Sequence, residues 1–188
     1  YYLLANYFGN SPLITERIQS TDATTQPNAA DGALLDQAIT DLTAAATLLP
    51  TSWPSTDAGR VTQNSANGML GKALMVRGSI KKNTADFTAA LTAFNKISGV
   101  SLVANFNDNF DVRRENNAES LFEFQASQPG FDNVWLPNDF DNPIGTMSAW
   151  WGYYENNSNL FGAAPFIPTQ KLIDAFEAGD PRIRSTFD

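Results

Sequence analysis

Apolar residues recur at helical spacing along the first hundred positions. Leu34, Leu35, Ala38, Ile39, Leu42, Ala45, Ala46 and Leu49 stand at offsets of 1, 4, 5, 8, 11, 12 and 15 from the first. They make one face of an amphipathic helix, with Asp36 and Asp41 facing elsewhere. Pro50 and Pro54 cannot continue it, so the pattern predicts a helix over 31–49. A second stripe, Ala66, Met69, Leu70, Ala73, Leu74 and Ile80, predicts a helix over 63–82. Gly68, Gly71 and Gly78 interrupt it, and each costs about 1 kcal/mol in helix propensity. A helix that keeps such glycines is expected to pack very closely against a neighbour. Asn83 then offers an N-cap, and Phe87, Ala90, Leu91, Phe94 and Ile97 line a third helix over 84–98, with Gly99 as its end. Ahead of all three, Tyr1, Leu4 and Phe8 share a stripe. Gly9, Asn10, Ser11 and Pro12 stop that first helix. Residues 15–30 read as a polar loop and 51–61 as a connector holding Trp53.

After Gly99 the character changes. Asn105–Asp111 is a polar, aromatic loop. Ser120–Ala126 alternates, Leu121, Glu123 and Gln125 against Phe122, Phe124 and Ala126, which predicts one short strand or hairpin. Residues 127–166 are rich in Pro, Gly, Asn and aromatics. A loop this long is functional or disordered, and its aromatic content argues against disorder. Pro168–Glu177 predicts a last helix with proline in its first turn, broken at Gly179–Arg182. The small residues of the second helix and the Phe87, Ala90, Leu91, Phe94 pattern of the third resemble one tetratricopeptide repeat. An ordinary helical hairpin gives the same pattern. The predicted class is therefore mainly α: tetratricopeptide-like antiparallel helix pairs in an α-α superhelix, a long irregular region, and a short strand or hairpin. One domain is expected, with residues 1–99 as helical scaffold and 100–188 as a loop-rich ligand region plus a final helix.

Composition narrows the function classes. With 188 residues, 43% hydrophobic and 17% charged, the chain can build a real core. A net charge of −8 argues against nucleic acid and against anionic lipid surfaces. Cysteine and histidine are both absent. That removes disulfides, thiolate nucleophiles, zinc–sulfur sites and the commonest general base. No phosphate-binding glycine loop and no Gly-x-Ser-x-Gly elbow is present.

Four landmarks, in order, resemble the SusD/RagB family. Tyr7, Phe8, Gly9, Asn10, Ser11, Pro12, Leu13 and Ile14 form the first. Asp41-Leu42 through Leu48, Leu49 and Pro50, then Gly59, Arg60, Val61 and Thr62 entering the Ala-rich helix, form the second. Phe106 and Phe110, followed by Glu119–Phe124, are the third. Lys171–Phe176 before Gly179–Arg182 is the fourth. The first helix begins without a capping residue, and the resemblance omits the family's lipidated N-terminus, earlier helices and C-terminal portion. A fragment is therefore expected. The resemblance implies a non-enzymatic protein that captures oligosaccharide and delivers it to a SusC-like TonB-dependent transporter. It places the full-length protein on the extracellular face of the outer membrane, held by a lipid anchor outside this chain. A tetratricopeptide-type protein-interaction scaffold without a sugar site is the rival reading. No cofactor is implied.

Candidate chemistry concentrates in the irregular region. Trp150, Trp151, Tyr153 and Tyr154 lie within five residues, followed by Asn156 and Asn157. Sugars present flat C–H faces on which aromatic rings stack, and hydroxyls that amides bond. The four aromatics and Asn156, with Trp135 beside Asn133, Asn138 and Asp139, are the expected ligand-binding candidates. Packing of some rings against the scaffold is the plainer explanation for each singly. Trp53, between prolines, is read as a packing residue. Arg60 and Arg182 each follow a turn and are read as structural, bonded to carbonyls or a carboxylate. Asn105, Asn107, Asn109 and Asp111 place oxygens at alternate positions. The glycine and bidentate glutamate of calcium loops are missing, so turn caps are the plainer reading. Asp139, Asp141 and Glu155 could supply the paired carboxylates of a glycosidase, although nothing in the sequence shows that they converge.

Overall fold

The computed structural model describes residues 1–19, 25–111, 113–125 and 168–187. Helix α1 spans Tyr2–Phe8 and ends at Gly9, whose φ of +65° only glycine adopts freely. α2 spans Ala33–Leu48 and stops two residues before Pro50. α3 spans Gln63–Lys81 and opens with a reciprocal capping box. The Thr62 hydroxyl accepts from the Ser65 N–H at 3.3 Å, and the Ser65 hydroxyl accepts from the Thr62 N–H at 3.0 Å. α4 spans Thr84–Phe94, with the Asn83 side chain accepting from the Ala85 N–H at 3.1 Å. Helices α1 to α3 run where the apolar stripes put them, and α4 begins where its stripe does.

α3 is the middle member of the set, flanked by α2 and α4. Gln63 at its start donates to Ala46 O near the end of α2 at 2.9 Å, while Arg77 near its end reaches Asp36 at the start of α2. The two helices are therefore antiparallel, and the α3–α4 pair is antiparallel by the same reasoning. Leu35, Ile39, Leu70, Ala73, Leu74, Ala90 and Ala93 form the core between them. The close packing expected of the α3 glycines is present. A Cβ added at Gly71 would stand 2.4 Å from the Phe94 ring, and one at Gly78 would stand 3.1 Å from Asp86 Cβ and from the Phe87 ring. The glycines let α4 lay its aromatic side chains directly on the α3 backbone.

One polar clamp crosses all three helices. Arg77 Nε and Nη2 donate to the two oxygens of Asp86 at 2.9 and 2.7 Å, and Nη1 donates to Asp36 Oδ1 at 2.9 Å. Lys81 adds a 3.2 Å contact to Asp36. Asp86 is 4% exposed, so its charge depends on the guanidinium. The Arg77 hydrogen bonds hold its carboxyl below the usual carboxylate range, outweighing desolvation. For Asp36, desolvation acts upward, but the bonds from Arg77 and Lys81 together prevail and lower it. The paired carboxylates in turn raise Arg77.

Several expectations beyond the helices need correction. α4 ends at Phe94 rather than near 98, because Asn64 on α3 captures Ser98 through both backbone groups. Its Nδ2 donates to Ser98 O at 2.7 Å and its Oδ1 accepts from the Ser98 N–H at 3.3 Å. The mainly α class stands, but the expected strand is not formed among the described residues: 122–125 carry no β-ladder. Side-chain alternation survives there without a partner strand. Leu121 and Glu123 turn inward while Phe122 and Phe124 are exposed. The segment is fastened instead by the Ser65 hydroxyl, which donates to Leu121 O at 2.6 Å. The last helix is shorter than expected. α5 spans Gln170–Ile173 and is capped by Thr169, so Pro168 precedes it instead of entering its first turn. A sixth helix, α6, spans Arg182–Phe187, immediately after the Gly179–Pro181 break. Asp180 caps its start by accepting from the Arg182 N–H at 2.9 Å.

The chain divides into two compact units: Tyr1–Leu102 with Asn116–Glu123, and Val103–Glu115 with Phe124–Asp188. The first contains α1 to α4. In the second, α6 lies against a short 3-10 turn at Phe106–Asn109. No helix among the described residues is long and apolar enough to cross a membrane.

Candidate functional site

Trp135, Trp150, Trp151, Tyr153, Tyr154 and Asn156, the ligand-binding candidates from the sequence, lie outside the described residues. So do Asp139, Asp141 and Glu155. Within the described residues, the first unit contains an open cleft of about 710 Å³ that the sequence reading did not anticipate. Three segments far apart in sequence wall it: 51–62, 98–100 and 116–123.

The first turn of α3 gathers those walls. Asn64 ties down Ser98, and Ser65 ties down Leu121. Leu121 sits tightly against α3, because its Cδ1 stands 2.9 Å from where a Cβ on Gly68 would be. The remaining wall is braced by Trp53, whose indole N–H donates to Val61 O at 2.9 Å, and by Gln63 N–H donating to Pro50 O at 2.9 Å. The Asn116 N–H donates to a Glu123 carboxylate oxygen at 2.7 Å, and the Ser101 N–H to Ala118 O at 2.9 Å. Asn116 adopts a left-handed backbone with φ of +54°, a conformation asparagine tolerates better than most residues.

Trp53 is therefore a packing residue that also lines an open cleft. The Arg60 guanidinium lies 5.2 Å from the Trp53 ring centroid and pairs with Asp57 at 3.0 Å. Phe122 projects into the same cleft. Around these aromatics stand Asn64, Asn116, Ser120 and Glu123. Such a surface offers ring faces for C–H stacking and amide and hydroxyl groups for hydrogen bonds. No local sequence signal marks it, because Asn64 and Ser65 hold its walls through partners 34 and 56 residues away.

The other singled-out residues have plain roles. Arg60 and Arg182 pair with carboxylates, as expected. Arg182 Nε lies 2.9 and 3.0 Å from the Asp180 oxygens, and this pairing lowers the Asp180 carboxyl to about 2. In the 105–111 loop, Asn105 accepts from the Asn107 N–H at 3.2 Å and so caps a 3-10 turn. Asp111 is engaged by Arg113 at 2.8 Å, which holds its carboxyl at about 2. Phe106 and Phe110 meet edge to face, with centroids 5.2 Å apart.

No protein-family model and no curated protein matches the chain. Solved structures do. A SusD superfamily protein from Bacteroides vulgatus is 32% identical over 66% of this chain and 25% of its own length, with a TM-score of 0.55. A laminarin-binding SusD-like protein is 28% identical over 64% of this chain and 27% of its own, also with a TM-score of 0.55. A SusD-like protein from Bacteroides fragilis is 21% identical over 69% of this chain and 25% of its own, with a TM-score of 0.57, and supports the fold alone. The chain thus spans about a quarter of the length of these solved structures. The antiparallel helical scaffold, together with the identities of 32% and 28%, makes this chain similar to SusD-like proteins in both fold and sequence.

Proposed function

We propose that this chain is part of a non-catalytic protein that binds oligosaccharide at the cell surface and hands it to a SusC-like TonB-dependent transporter. The observation that carries the reading is the 28% identity to a SusD-like protein that binds laminarin, on the same helical scaffold. In this reading the full-length protein is held by a lipid anchor on the extracellular face of the outer membrane. Trp150, Trp151, Tyr153 and Tyr154 include the main glycan platform, and Trp135 and Asn156 are further ligand-binding candidates. Their composition supports this: bulky aromatics carry stacking area at low entropy cost, and amides suit neutral hydroxyls.

Titration calorimetry tests the reading with laminarin, malto-oligosaccharides and xylo-oligosaccharides as probes. Saturable heat with at least one of them, and no sugar release on prolonged incubation, is the expected outcome. Absence of binding across the set would favour the protein-interaction scaffold. Release of reducing sugar would establish a glycosidase instead.

A further inference from the structure

We propose that the cleft between Trp53 and Phe122 is itself a saccharide subsite, one that takes neutral sugar residues. This rests on the glycan-binding reading above. Its volume of about 710 Å³ falls within the range of roughly 300–1,000 Å³ typical of ligand clefts.

Phe122 is the leading observation. This residue is 54% exposed, and its neighbours Leu121 and Glu123 are both tied down by hydrogen bonds. The register of the 121–125 segment is set by the Ser65 bond to Leu121 O and by the fit of Leu121 over Gly68. Leu121, Phe122 and Glu123 all line the cleft, and Phe122 is the exposed one of the three. An aromatic ring is thus fixed in an open, polar-lined space. The Trp53 N–H is already taken by Val61 O, so the indole contributes an apolar surface and no donor. The Phe122 ring is suited to C–H stacking, while Trp53, with Arg60 over its ring, forms an apolar wall.

Charge selects the class of ligand. Among the described residues, Asp57 and Glu123 line the cleft against one cation, Arg60, which already pairs with Asp57 and covers the Trp53 ring. An anionic sugar such as a uronate would meet two carboxylates and one engaged guanidinium. No group of three acidic residues that could hold a metal ion is present among the described residues. A wholly apolar ligand would strip water from Asn64, Asn116 and Ser120 without replacing its hydrogen bonds. Neutral pyranoses satisfy both kinds of surface. The walls are braced before a ligand arrives, which lowers the ordering cost of binding.

The test uses the full chain with laminarihexaose and maltohexaose as neutral probes and oligogalacturonate as the anionic comparison. The Trp53 indole N–H resonance, assigned with Trp53→Phe, is followed during titration, and affinities are measured for wild type, Phe122→Ala and Phe122→Trp. Expected are a shift of the Trp53 signal with a neutral probe only, affinity about 3- to 10-fold weaker in Phe122→Ala, and affinity retained in Phe122→Trp. If a neutral probe binds while the Trp53 signal stays still and Phe122→Ala matches wild type, the subsite is refuted and the glycan-binding reading stands. If none of the three probes binds, both are refuted. Preferential binding of oligogalacturonate at the Trp53 signal would refute the neutral selectivity.

Discussion

Replacing Arg77 by methionine isolates the polar clamp. The substitution keeps most of the aliphatic stem and removes the guanidinium. Asp86, 4% exposed, then loses both of its hydrogen bonds from Arg77 inside the helix packing. Breaking a buried pair in this way costs about 3–5 kcal/mol. Asp36 is 46% exposed in its side chain and retains Lys81, so its share is small, on the order of 0–1 kcal/mol. The expected loss at neutral pH is therefore about 3–5 kcal/mol, or roughly 2–4 °C of melting temperature per kcal/mol for a chain of this size. Urea unfolding followed by helical circular dichroism measures it at pH 7 and near pH 3. In wild type the Asp86 and Asp36 carboxyls are held below their ordinary values. The stability they contribute is complete above their unfolded pKa of about 3.9 and is lost as pH falls through the lowered folded values. In the variant, Asp86 keeps only its Asn83 hydrogen bond and the Lys81 charge against desolvation, so its pKa rises. Its penalty is present above that raised value and disappears below about pH 3.9. The gap between the two proteins should narrow on acidification. Adding Asp86→Leu to the variant should restore most of the loss at pH 7. A cost below about 1 kcal/mol at pH 7, or an equal cost at both pH values, would refute the account.

Gly71→Ala should destabilise by about 1–2 kcal/mol in chemical denaturation, since the overpacking of Phe94 exceeds the helix-propensity gain, and Phe94→Leu should relieve part of it; a net gain from Gly71→Ala alone would contradict the close packing. Leu70→Ala, at a buried α3 position, should cost about 2–5 kcal/mol by the same assay, and a loss under 1 kcal/mol would mean its contacts are loose. Oligosaccharide affinity should be unchanged by chelator, because Asn105 and Asp111 are occupied as turn cap and arginine partner; binding that vanishes with EDTA and returns with calcium would contradict this. Alanine at whichever of Trp150, Trp151, Tyr153 and Tyr154 face solvent should weaken oligosaccharide binding in calorimetry at nearly constant melting temperature, and unchanged affinity after all such removals would dismiss them as the platform.

The scaffold was legible because its signals are local. Apolar spacing over 34–49, 66–80 and 87–97 and the cap at Asn83 act within a few turns of one helix. Even the glycines announced their purpose, since their propensity cost needed a packing gain to offset it. The strand was misread because alternation records only which side chains point inward. It does not say whether a second strand is present to complete a ladder, and at 121–125 that role falls to a serine hydroxyl. α6 was missed because Asp180-Pro181 reads equally as a stop and as a start: the same carboxylate that ends a turn caps the next helix. The Trp53 cleft was invisible for a deeper reason. Its walls are separated by tens of residues, and two short polar side chains on α3 bring them together. Neither Asn64 nor Ser65 carries a motif that encodes such distant partners.

The bonds of α3 also imply an order of assembly. Arg77 and Asp86 are nine residues apart, whereas Asn64 reaches over 34 residues to Ser98 and Ser65 over 56 to Leu121. Closing a loop costs about 0.6 kcal/mol more for each doubling of its length. The α3–α4 hairpin therefore closes on short-range contacts, and the walls of the cleft dock onto a helix that already exists. On unfolding the reverse order is expected, with the 98–100 and 116–123 segments detaching before the three-helix core opens. In native-state hydrogen exchange, the Ser101 and Asn116 amides should open at lower free energy than those in the middle of α3.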